Sequence, residues 1–314
     1  MQVSKAKQIT ADLALLFVAF VWGITFVVVK EALSAIGPYY FLAIRFFIAG
    51  VFLAVFCPRA MRKMKLATLK AGFIIGLALF GGYAFQTVAL QYTKASNAGF
   101  ITGLSVVMVP VFVSLLTRKI PTPATMIGVA CATLGLGLLC LNSSFTINFG
   151  DVLVFLCAVC FATHIILVGK YAPSNNAVPL AVTQIATVSA ISLVMAIPLE
   201  VMPETLAPQV QIALLATAIP ATSLAFLIQN TAQKFTSATH TAVIFTMEPV
   251  FAGLTAWLLG GEVLSIRQWI GGAAIICGML ITVLKSSEIA ERESTEDLTV
   301  ISRQDHAVPY DKQT

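Results

Sequence analysis

The chain is written twice, because its second half repeats the order of apolar runs, prolines and glycines of its first. Asp12 opens an apolar run that ends near Lys30, and Asp151 opens one that ends near Lys170. Further along, AFQTVALQYTKAS around Gln86 matches FLIQNTAQKFTSA around Gln229. Pro110 in MVPVFV matches Pro249 in MEPVFA, and Gly128 and Gly135 match Gly271 and Gly278. Each copy holds five apolar segments. Because five is odd, the second copy enters a bilayer from the opposite face, the inverted-repeat plan on which many secondary transporters build alternating access.

The setting is lipid. Hydrophobic residues make up 58% of the chain and charged residues 11%, against roughly 45–50% and 25% in soluble domains. A helix needs about 20 predominantly apolar residues to cross the hydrocarbon core. Ten segments approach that measure, at 11–29, 39–56, 71–91, 96–117, 124–141, 151–169, 179–199, 210–233, 238–259 and 268–285. The sequence therefore predicts an all-α membrane protein with ten transmembrane helices as two inverted five-helix repeats, 11–141 and 151–285. Residues 1–10 form a cytoplasmic N-terminus and 286–314 an acidic, disordered cytoplasmic tail. The first segment runs through Trp22 and Gly23 to Val29 without a small-residue cleavage pattern, so it reads as a retained span.

Basic residues set the orientation through their excess in cytoplasmic loops. Lys5 and Lys7 precede the first segment, Arg59, Arg62, Lys63, Lys65 and Lys70 lie between the second and third, and Arg118 and Lys119 between the fourth and fifth. The opposite loops carry Lys30, Lys94 and Arg267, offset by Glu31, Glu200, Glu204 and Glu262. Both termini thus fall in the cytoplasm, with the bundle in the cell's inner or plasma membrane. Up to Lys285 the chain has sixteen basic and seven acidic residues, and the tail beyond reverses the sign.

Polar groups inside the spans ask for a reason, since an ionisable side chain in hydrocarbon costs several kcal/mol unless paired or wet. Glu248 lies roughly 15 Å into the ninth segment and His164 about 18 Å into the sixth, at 1.5 Å per residue; Arg45 lies about 9 Å inside the second. Pro249 follows Glu248 directly, and proline frees the carbonyl four residues back and breaks the helix; Pro110 makes the corresponding break in the fourth segment. These residues point to a polar cavity between the repeats, with Glu248 and His164 as proton or substrate contacts and Arg45 as an anion contact or a structural brace. Gln86, Asn97 and Gln229 extend the lining, and Trp22 and Tyr83 offer flat walls to an organic solute; amides and aromatics at such positions also serve packing alone.

The fifth and tenth segments carry few polar side chains and many small ones. Gly128, Ala132 and Gly135, and likewise Gly271, Ala274 and Gly278, let backbones approach closely, either as packing helices at the ends of the molecule or as a dimer contact. The six cysteines sit in or beside apolar helices and behave as small hydrophobes; Cys157-x-x-Cys160 lacks the second pair or histidines that a metal site needs. Neither a cofactor nor a metal is expected.

The chain resembles the drug/metabolite transporter superfamily, specifically its EamA-type ten-helix permeases. The residues that carry this are AFVWGITFVVVK, FLAIRFFIAG, ALQYTKASNAGFITGLSVVMVPVFVSLL and TMEPVFAGLTAWLLGGEVLSIRQWIGGAAIICGMLI, in order, across 11–285. The resemblance implies helices one to four and six to nine around a central cavity, with five and ten outside. It also implies transport of small organic solutes, often outward and often amino acids or related metabolites. The second repeat has Ala186 or Gln184 where the first has Arg45, and Asn97 and His164 stand where relatives commonly hold less polar residues.

Other classes fit poorly. There is no phosphate-binding GxxxxGK[ST] loop, no HExxH and no Gly-x-Ser-x-Gly elbow, so neither an enzyme nor an ATP-driven pump is indicated. A secondary carrier moving a metabolite by alternating access is the expectation, a passive channel or facilitator the alternative. The expected partners are a small-molecule substrate, the lipid bilayer and protons as a coupling ion, with no nucleic acid, in a monomer or homodimer.

Overall fold

The computed structural model describes residues 5–93, 98, 101–140, 148–260, 264–282 and 284. Among them every regular element is helical. In chain order these are α1 (Lys5–Ala32), α2 (Pro38–Phe56), the single turn α3 (Pro58–Met61), α4 (Leu66–Ala89), α5 (Ser105–Thr117), α6 (Pro123–Cys140) and α7 (Phe149–Tyr171). They continue with α8 (Ala177–Leu199), α9 (Pro208–Ala218), α10 (Ala225–Ala232), α11 (Ala238–Phe245), α12 (Met247–Gly260) and α13 (Ile266–Thr282). Among the described residues six helical stretches are long and apolar enough to cross a membrane: Ala6–Thr25, Pro38–Phe56, Leu66–Ala89, Phe149–Ser174, Ala177–Leu199 and Pro208–Ala232. Ile101–Thr117, Pro123–Leu138 and Ile266–Thr282 are shorter apolar helices.

Local chemistry sets the helix starts. Prolines open α2, α3 and α9, where a missing amide costs nothing. Asn148 and Asp151 form a reciprocal capping box at α7, with Asp151 N donating to Asn148 Oδ1 at 3.0 Å and Asn148 N to Asp151 Oδ2 at 2.9 Å. Its repeat mate behaves differently. Residues 5–10 already belong to α1, so Asp12 lies at least about two turns inside the helix rather than at its opening.

Packing follows the glycines. α4 lies against α7 and α8, α2 against α8, and α1 against α10, α11 and α12. A Cβ on Gly76 would stand 2.6 Å from Thr187 Cβ, and one on Gly23 would stand 2.6 Å from the carbonyl oxygen of Glu248, so these crossings tolerate no side chain. α6 and α13 meet in the same way. A Cβ on Gly128 would lie 2.7 Å from Gly278 O, and one on Gly135 2.6 Å from Gly271 O. These small residues face one another within the chain, pairing each glycine with the mate of the other.

The exterior is apolar. Leu13, Phe17, Phe47, Val55, Leu115, Leu134, Val194 and Ile212 are exposed, while Arg45, Asp151, His164, Gln184, Asn230 and His240 are buried. That inversion is stable only where lipid replaces water. At the end of the bundle that carries the α1 N-terminus, Lys234 Nζ donates to Asn175 O at 2.8 Å, and burial pushes its ammonium below the ordinary lysine range.

Candidate functional site

The segment between α9 and α10 shapes the centre. Pro220 has no amide to donate, and Ile219–Leu224 widens into a π-helix, a distortion that recurs at functional sites. Its polar groups reach neighbouring helices. Ala221 O accepts from Trp22 Nε1 at 2.8 Å and from Arg45 Nη2 at 3.5 Å. Thr222 Oγ1 accepts from Arg45 Nε at 2.8 Å, and the Ser223 hydroxyl donates to Ala49 O at 2.9 Å.

Arg45 is therefore held by α9–α10 and roofed by aromatics. Its guanidinium carbon lies 5.2 Å from the centroid of the Tyr83 ring and 5.5 Å from that of Phe46, within cation–π range. Phe226 is the hub beneath. Its ring centroid lies 5.8 Å from Trp22, 6.3 Å from Tyr83, 6.3 Å from Phe46 and 5.8 Å from His164. Phe161 closes the other side of Tyr83 at 5.4 Å.

On the α7 side His164 donates Nε2–H to Gln184 Oε1 at 2.9 Å, and the amide nitrogen of Gln184 is buried without a partner. Glu248 sits in the first turn of α12. Its side chain is partly exposed and makes no hydrogen bond or ion pair among the described residues, with Tyr83 and Cys157 as its titratable neighbours. Tyr83 thus feels both charges, and among the described residues Arg45 has no carboxylate partner and Glu248 no cation.

Trp22, Arg45, Tyr83 and His164 accordingly meet around Phe226, and Glu248 lies near enough to Tyr83 to act on it electrostatically. Gln86 and Gln229 bond to other partners. Gln86 donates Nε2–H to Thr102 Oγ1 at 3.4 Å, beside Cys157. Gln229 donates to Gln233 Oε1 at 2.9 Å, and Gln233 passes the chain on to Ile165 O at 2.9 Å. Asn97 lies outside the described residues. A turn at Thr246 separates α11 from α12, which puts Pro249 in the first turn of α12; Pro110 sits inside α5, which continues through it, after a turn at Leu104. Among the described residues no group of three or more His, Cys, Asp or Glu side chains could hold a metal ion.

Phe226, Phe161, Thr222 and the π-helix are absent from the sequence-derived candidates. Pro220, in the middle of an apolar span, was the available signal.

An all-helical bundle, apolar outside and polar at its centre, is the construction of a multi-pass membrane protein. The sequence profile of the EamA-like transporter family matches residues 9–141 and again residues 148–284, and the chain belongs to that family. It is similar to an uncharacterized transporter of Archaeoglobus fulgidus, 37% identical over 282 residues, covering 89% of this chain and 87% of the relative. It is also similar to the uncharacterized transporter YyaM of Bacillus subtilis, 24% identical over 288 residues, covering 87% of this chain and 93% of that one. A solved crystal structure shares the fold at a TM-score of 0.76 and 21% identity, over 88% of this chain and 98% of its own. The protein is a membrane transporter of small solutes.

Proposed function

We propose that the chain is a secondary carrier of the cell membrane that moves a neutral or zwitterionic metabolite, such as an amino acid, outward by alternating access. Ten crossings, as two inverted five-helix repeats with both termini in the cytoplasm, form the framework. The antiparallel meeting of α6 and α13 through Gly128, Gly278, Gly135 and Gly271 supports a two-fold relation between the halves.

One observation carries the reading: Arg45 and Glu248 both act on Tyr83, and neither charge is paired to an opposite charge among the described residues. An α-carboxylate toward Arg45 and an ammonium toward Glu248 would satisfy both, since buried charges are tolerated when paired. Trp22 and Phe226 would flank the apolar portion of the solute. Protons, handled by Glu248 and His164, are the coupling ion.

Metabolites accumulating outside cells that overproduce the chain identify the solute. Amino acids above the level of cells producing Glu248→Gln support the proposal; no difference between the two strains contradicts it. In reconstituted vesicles, wild-type transport and pH dependence in both Glu248→Gln and His164→Ala would remove these residues from proton handling.

A further inference from the structure

A second buried titratable cluster lies away from the central site, at the end of the bundle that carries the α1 N-terminus. Asp12 Oδ2 is 3.9 Å from His240 Nδ1, with both side chains almost entirely enclosed. Gln8 Nε2 approaches the same ring nitrogen at 3.5 Å. Thr236 stands beside Asp12, and the α13 backbone at Thr282 faces His240. No other charged side chain among the described residues acts on either group. Asp12 Oδ1, His240 Nε2 and Thr236 Oγ1 are all buried here, with the Thr236 hydroxyl as the hydrogen-bonding neighbour of Asp12 and the Thr282 backbone as that of His240.

Nδ1 of His240 has two alternative partners. A bare nitrogen accepts from the Gln8 amide; a protonated one donates to the Asp12 carboxylate, and the pair then gains charge-assisted strength. The partners come from different elements, since α1 supplies Gln8 and Asp12 while α11 supplies His240, capped through its own amide by Ser237 Oγ at 3.1 Å. Ala11, Leu15, Ala232 and Ile244 pack together as an apolar cluster that joins α1, α10 and α11, and Phe245, five residues beyond His240, lies 4.9 Å from the Trp22 ring of the central cluster.

The repeat makes the site asymmetric. Asp12 and Thr236 are the mates of Asp151 and Thr93, and at the far end Thr93 Oγ1 donates to Asp151 Oδ1 at 2.5 Å. Asp151 is also engaged in its capping box, so that end is satisfied without a histidine. The residue aligned with His240 is Asn97, which does not titrate.

We propose that Asp12 and His240 form a proton-binding site, separate from Glu248, whose occupancy latches the N-terminal end of α1 to α11 and so closes this end of the bundle. Its place in an alternating-access cycle rests on the carrier function proposed above; the proton site itself does not. Protonation of His240 strengthens the pair while Asp12 stays ionised, so the latch holds on mild acidification and loosens as pH rises through the histidine's titration.

The test uses the full chain in lipid nanodiscs without any transported solute. The sequence has three histidines, so ring-nitrogen NMR resolves His240 once His164→Gln and His306→Gln spectra assign the others. The His240 ring is expected to gain a proton on acidification, and the protection factors of the amides of residues 5–12, observed exchange corrected for the intrinsic rate at each pH, to rise with it. Asp12→Asn should lower the His240 midpoint by about one pH unit or more and abolish the exchange step, whereas Glu200→Gln leaves both in place. A ring that stays neutral down to pH 5, protection factors identical at pH 5.5 and 8, or a midpoint indifferent to Asp12→Asn overturns the proposal. The exchange reading needs no variant to fold. A chain that transports without the step contradicts the latch alone; one with the step but no transport contradicts the carrier function alone.

Discussion

His164 donates its Nε2–H to the amide oxygen of Gln184 at 2.9 Å, across α7 and α8, where both side chains are buried. The bond fixes the imidazole beside Phe226 and keeps a ring donor from being stranded in the core. Gln184→Leu removes the acceptor, and a buried unsatisfied donor costs about 1–3 kcal/mol. Denaturation in detergent micelles should register a loss of that size. An unchanged midpoint would mean that His164 finds another partner.

The Arg45 guanidinium is placed by Thr222 Oγ1 through Nε and by the Tyr83 ring. Lysine has neither that donor nor a planar face, so Arg45→Lys should impair transport despite keeping the charge. Thr222→Val removes only the hydroxyl. A double-mutant cycle with Arg45→Lys should give a coupling energy of about 0.5–3 kcal/mol. Strict additivity would show that the bond carries little.

At the end opposite Asp12, Glu200 caps α2: the amides of Tyr39 and Tyr40 donate to its two carboxylate oxygens at 2.8 and 2.9 Å. An anion at a helix N-terminus meets two free amides and the positive end of the dipole. Glu200→Ala should cost about 1–2 kcal/mol of stability, read by thermal unfolding. Glu200→Gln keeps one acceptor and should cost less.

Glycine substitutions separate close approach from open space. Gly135→Val pushes a side chain into the Gly271 carbonyl and should destabilise the α6–α13 contact by about 1–3 kcal/mol. Gly253→Ala is the control, because a Cβ there meets nothing within 4 Å. Equal effects from the two would refute the packing assignment.

Much of the architecture was legible because hydrophobic runs of span length dictate helices in lipid whatever their tertiary partners. The starts at Pro38, Pro123 and Pro208 lie within two residues of the expected boundaries, where proline and apolar periodicity agree. Asp12 misled as a boundary marker because its buried partner, His240, is 228 positions away, and no local pattern encodes such a pair. Trp22, Arg45, Tyr83, His164 and Glu248 were picked out by the expense of polar and amphipathic groups in hydrocarbon. Phe226 was not, since one phenylalanine among 21 carries no mark of being the hub. The π-helix had a local signal in Pro220, but which partners its carbonyl and hydroxyl would reach depends on how α1 and α2 pack.

The most direct test is counterflow in vesicles carrying the purified chain, with a labelled amino acid drawn from the export panel. Saturable exchange against unlabelled solute, abolished or reduced at least tenfold by Glu248→Gln, is the result expected of a carrier whose central carboxylate takes part in each cycle, a tenfold loss corresponding to about 1.4 kcal/mol. Linear flux that never saturates, or Glu248→Gln vesicles exchanging at the wild-type rate, would contradict it.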